Sequence, residues 1–169
     1  MENYILIGNI IAFISAMIMV GIGFIKKKKS ILVAQTFQML TAALSDLVLK
    51  STAGMISNII GCVRNILCYK NKFGIFQKIV VGILAATFTL YFNNIGWIGL
   101  LPLMSTIIYI IFMNTEDVIK FKILLIVTII PWIIHDIYIN SFVYAFFDIG
   151  SVITNFISII QIKKVDKSA

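Results

Sequence analysis

Residues 4–29 read YILIGNIIAFISAMIMVGIGFIKKKK. The first part of this stretch, 4–25, carries no charge and is long enough to cross a hydrocarbon core, which takes roughly 20 apolar residues as a helix. Four lysines follow at once. A cleavable signal peptide has the reverse order, basic residues first and a shorter apolar stretch after them. Here Glu2 is the only charged side chain ahead of the run. The order predicts a retained spanning helix, its amino end outside the cytoplasm and its lysines among the cytoplasmic headgroups.

The rest of the chain repeats this alternation. Of 169 residues, 60% are hydrophobic and 12% charged, with a mean hydropathy of +1.04. Soluble proteins carry about 25% charged residues, and one water-soluble domain of this length has too little interior for the apolar excess. Spans are expected at about 4–25, 31–49, 52–69, 74–92, 95–113, 118–139 and 141–162. Seven helices of roughly 20 residues leave no room for a soluble catalytic domain. The first, fifth and seventh are the clearest. The second, with Gln35, Gln38 and Asp46, and the third, with Asn58, Arg64 and Asn65, need protein neighbours. The fourth is the weakest, because its apolar part starts only at Ile79; Lys78 at its edge can snorkel.

Seven crossings put Lys26, Lys27, Lys28, Lys29, Lys70, Lys72, Lys78, Lys120, Lys122, Lys163, Lys164 and Lys167 on one side and Lys50 alone on the other. The positive-inside rule then places the amino terminus outside and the carboxyl terminus in the cytoplasm. The net charge of +7 reads as topology, not as a nucleic-acid signal.

An offset of ninety residues relates the two halves. Gly54, Asn58, Gly61 and Asn65 form a polar stripe in the third span, and Tyr144, Asp148, Ser151 and Asn155 repeat its steps in the seventh. The same offset carries Ser15 onto Ser105, Gln38 onto Thr128, Ser45-Asp46 onto His135-Asp136, and Ser51 onto Ser141. The expected fold is therefore all-α: a polytopic membrane protein with seven transmembrane helices, arranged as two parallel three-helix bundles (1–73 and 95–162) joined by one inverting helix (74–94), with a cytoplasmic tail at 163–169. Two like bundles facing each other enclose an axis along the membrane normal, which suits alternating access.

Intramembrane polar residues are expensive and are functional candidates by default. Arg64 lies about 9 Å inside Lys70 along its helix; it either snorkels to phosphates or is a buried donor for an acidic residue or an anionic or carbonyl-bearing solute. Asp148, near the middle of its span, pairs by the repeat with Asn58 across the two bundles. Asn65, Asn155, Gln35 and Gln38 can read amides or hydroxyls, or tie helices together. Trp132 can stack on a flat ring. The candidate substrate-binding set is Asn58, Arg64, Asn65, Asp148, Asn155, Gln38 and Trp132. Candidates for gating or proton coupling are Pro131, which interrupts a helix, His135, Asp136 and Asp46; Pro102 is expected to kink the fifth span. Trp97 fits an outer interfacial belt.

Enzyme chemistry is not expected. No nucleophile stands with a His and an acid, and no P-loop or HExxH pattern occurs. Two Cys and one His make no metal site, and Cys62 and Cys68 point to different faces of one helix, so they do not pair.

The stretch from Gln35 and Gln38 through Gly54 and Asn58 to Arg64-Asn65 resembles the bacterial inner-membrane family typified by YgjV, which spans nearly this whole length. The resemblance implies the bacterial plasma (inner) membrane. The three-one-three layout resembles the SWEET sugar facilitators and the PnuC-type nicotinamide riboside transporters, which implies ligand contact by Asn58, Asn65, Asp148, Asn155 and Trp132. It departs from them in lacking a Pro-Gln dipeptide and any proline in the first bundle. The expected function is transport of a small polar metabolite, vitamin-, nucleoside- or sugar-like; the alternative is a non-transporting subunit, scaffold or sensor whose polar stripe glues helices. The expected partners are the lipid bilayer and that solute, with a homo-oligomer left open and no nucleic acid or cofactor.

Overall fold

The structure, a computed structural model, describes residues 3–48, 52–93, 96–138 and 142–166. Over these residues the chain forms α1 (Asn3–Ile22), α2 (Lys28–Val48), α3 (Thr52–Tyr69), α4 (Ile75–Phe92), α5 (Leu101–Phe112), α6 (Val118–Tyr138) and α7 (Phe142–Asp166), with a 3-10 turn at Gly96–Leu100 leading into α5. Lys50, Ser51, Ser141 and Lys167 lie outside the described residues, as does the Asp136 side chain.

Local chemistry sets the ends of these helices. The Asp117 carboxylate accepts from the backbone N–H of Ile119 (2.8 Å) and Lys120 (3.2 Å), so α6 begins at Val118 with a side-chain cap on its first orphan donors. After α3 the N–H of Lys72 bonds the Leu67 carbonyl and that of Asn71 the Cys68 carbonyl, with Asn71 at φ 54°. This closure stops a helix at a residue that tolerates the left-handed region.

Two expectations change. The fourth span is a regular helix, and with Lys28–Val48, Val118–His135 and Tyr144–Lys164 it is among the four long and apolar enough to cross a bilayer. The fifth span is built differently, as a 3-10 turn at Gly96–Leu100 followed by the 12-residue α-helix Leu101–Phe112. Pro102 explains the fifth: it sits in the first turn of α5, where its missing N–H has no partner to lose. It therefore starts the α-helix instead of kinking it. Lys78, expected to snorkel, donates 2.7 Å to the Ile111 carbonyl near the end of α5.

Each helix packs against the next in the chain, and α7 returns against α1. The helices thus close a ring. Large apolar side chains such as Phe37, Tyr91 and Phe146 cover its outside, an exposure that suits lipid and not water. The core lies at the lysine-rich end, where Ile31, Leu32, Cys68, Tyr109, Met113 and Phe121 meet across the ring. Loops tie the same end: Lys28 pairs with Glu116 at 3.8 Å, and Asn114 donates 2.8 Å to the Phe73 carbonyl. Ser15 Oγ donates to the Gln38 carbonyl (3.0 Å) between α1 and α2, and Ser105 Oγ donates to the Thr128 carbonyl between α5 and α6.

Candidate functional site

Helix α3 places Arg64 five residues from its last residue, Tyr69, about one and a half turns, on the face turned toward α5. The side chain is 5% exposed, so it is buried and does not snorkel. Its guanidinium carbon stands 4.1 Å from the centre of the Tyr109 ring on α5, a cation–π contact that gains strength away from water. Nε and one Nη each lie 3.4 Å from Asn65 Oδ1. The Tyr109 hydroxyl, itself buried, donates 2.7 Å to Gln35 Oε1 on α2. Four polar side chains from three helices thus converge just outward of the core. Sequence reasoning named Arg64, Asn65 and Gln35; Tyr109 escaped it, because an aromatic inside an apolar run looks like packing.

A second buried cation stands on α6. Lys122, expected among the cytoplasmic lysines, is 0% exposed. Its Nζ donates 2.8 Å to the Gly23 carbonyl just beyond α1 and lies 3.4 Å from Asn155 Oδ1 on α7. The signal was available: an Asp cap at position 117 puts Lys122 a full turn inside α6, beside Phe121, Leu124 and Leu125.

The remaining candidates divide. Asn58 donates 2.9 Å to Asp46 Oδ2 on the neighbouring helix α2. Asp148 is buried in α7. Gln38 donates 3.1 Å to Ser15, which ties α2 to α1. Asn155 is buried, with its amide 2.9 Å from the Ser151 carbonyl one turn back. Trp132 and His135 meet edge-on, ring centres 5.8 Å apart, in the turn that follows Pro131 in α6. Asp46 is half-buried, and the Asp136 side chain is outside the described residues. Trp97 is exposed on the 3-10 turn. Cys62 and Cys68 are both free and buried.

The model of the Imp-YgjV family, described as a bacterial inner membrane protein, matches residues 6–166. The chain belongs to this family. It is therefore a protein of the bacterial inner membrane, and the ring of apolar helices stands in lipid. Among curated proteins and among solved structures, nothing matches. In that setting Arg64 and Lys122 are charges held by protein alone, since hydrocarbon offers them no hydrogen bonds.

Proposed function

We propose that this Imp-YgjV protein is a carrier for a small polar solute, not an enzyme, working by alternating access between two three-helix units, α1–α3 and α5–α7, linked by α4. The observation that carries this reading is the bond made twice: Ser15 to the Gln38 carbonyl and Ser105 to the Thr128 carbonyl, each residue ninety positions from its counterpart. Apolar periodicity alone aligns apolar residues; it does not reproduce the same side-chain-to-backbone bond at the same place. Two equivalent units of one orientation make the kind of pair that rocks about a central site. The lysine-rich end is taken as cytoplasmic, and its core and loop ties make the conformation described one that is closed on that side.

A second reading has its own support. Gln38, Asn58 and Asn155 all bond neighbouring protein groups, as expected of a subunit or scaffold whose polar residues tie helices. Proteoliposomes separate the two. The carrier reading expects at least one labelled solute, from a panel of sugars, nucleosides and organic acids, to accumulate faster than in empty vesicles. It also expects a disulfide between Lys28→Cys and Glu116→Cys to stop that uptake and reduction to restore it. No uptake of any member, or uptake indifferent to the cross-link, leaves the scaffold reading.

A further inference from the structure

Among the described residues, Lys28 with Glu116 is the one ion pair within 4 Å. Neither buried cation, Arg64 nor Lys122, therefore has a described carboxylate at contact distance. What stands in for it differs. Lys122 donates to the Gly23 carbonyl at the end of α1, where the helix dipole places negative potential, and Asn155 Oδ1 supplies a second acceptor. Arg64 has the face of Tyr109 and one amide oxygen, shared by two long contacts of 3.4 Å each. A guanidinium carries five N–H donors. The contacts to Asn65 engage two of its three nitrogens, and Nη1 has no hydrogen bond to a described residue. Beside it, Gln35 accepts from the Tyr109 hydroxyl through Oε1, which fixes the amide and leaves its Nε2 as a further donor.

The unfilled groups that carry charge at this point of the ring are donors: Arg64 Nη1, and beside it Gln35 Nε2, have no hydrogen bond to a described residue. A guanidinium fork suits a carboxylate or a phosphate, whose two oxygens accept parallel N–H···O bonds. A neutral solute would fill the donors and leave the charge unbalanced; a cation would be repelled. Among the described acids, Asp46 accepts from Asn58, six residues or about 9 Å along α3 before Arg64, and Asp148 lies on α7, which packs against α6 and α1. We propose that Arg64 and Gln35 form a site for a small soluble anion, a carboxylate or phosphate, with Arg64 as principal donor. As an account of what is carried this rests on the carrier reading; as a binding site it stands apart from it.

The test uses the purified full chain in detergent. Its melting temperature is followed against sodium acetate, sodium succinate, inorganic phosphate and dioctanoyl phosphatidic acid, with xylitol, uridine and choline as controls at constant ionic strength. At least one soluble anion should stabilise saturably, and the controls should not. The acetate, succinate and phosphate arms then tell carboxylate from phosphate. Arg64→Gln should weaken that anion's apparent affinity at least tenfold, Arg64→Lys less. Gln35→Leu, which keeps the arginine, should weaken it several-fold and serves if Arg64→Gln does not fold. Stabilisation by uridine or xylitol but by no anion overturns the proposal, as does stabilisation by the lipid alone, or an anion affinity unchanged in the variants. Anion binding without uptake into vesicles would sink the carrier and spare the site; uptake of neutral solutes alone would do the reverse.

Discussion

Helices α1 and α7 meet at one seam of the ring, and α3 and α5 face each other at another. At the first seam the residues are small and the backbones nearly touch. A Cβ on Gly23 would lie 1.8 Å from Thr154 Oγ1 and 2.9 Å from the Asn155 backbone nitrogen. Thr154 donates 3.0 Å to the Val20 carbonyl, and Ser151 lies 3.5 Å from that of Met19. At the second seam Arg64 lies on Tyr109, Cys68 reaches the Met113 carbonyl at 3.6 Å, and α4 packs against both helices. Residue size thus decides whether a seam seals or holds a charged group between its walls. Close approach through small residues is the usual way helices associate in lipid.

The comparison breaks most visibly at Gly23. Gly23→Ala puts a methyl group into backbone that has nowhere to move, and we expect a loss of about 1–3 kcal/mol or more, read as a lower melting temperature in detergent. Next comes the contrast between the two cations. Lys122→Met strips the Gly23 carbonyl of its donor and should cost about 1–3 kcal/mol. Arg64→Gln removes a charge without a counter-ion and should cost clearly less in the same melting experiment. Equal losses would make Arg64 a structural tie and end the distinction drawn between the seams. Gly61→Ala sharpens the steric half of the argument: its Cβ would meet Met39 Sδ at 2.5 Å, but a thioether end is flexible and can swing aside, so the change should stay within about 1 kcal/mol. Smallest of all is Ser158→Ala. Ser158 Oγ is buried without a hydrogen-bond partner among the described residues, so its removal should leave stability unchanged or raise it by up to about 1 kcal/mol.

Arg64-Asn65 was legible as a site because a charge inside an apolar run is anomalous wherever the run folds. Lys122 was not: it stands near other lysines at the mouth of a span, and only the cap at Asp117 moves it a turn inward. Gln38 and Asn58 were legible as polar and not as spoken for, since their partners Ser15 and Asp46 sit on other helices. Pro102 shows the same limit at short range. A proline disturbs a helix from within or starts it at its edge, and the choice hangs on where the 3-10 turn at Gly96–Leu100 ends.

Hydropathy, lysine placement and helix capping are properties of neighbours along the chain. From them alone come the apolar helices, their approximate bounds and the expectation of a membrane. Closure of the ring, the tight contact of α1 with α7, and the loss of water around Arg64 and Lys122 belong to the tertiary structure. Each depends on which residue stands opposite, across tens of positions of sequence, and burial of a charge is decided by the groups that surround it in space.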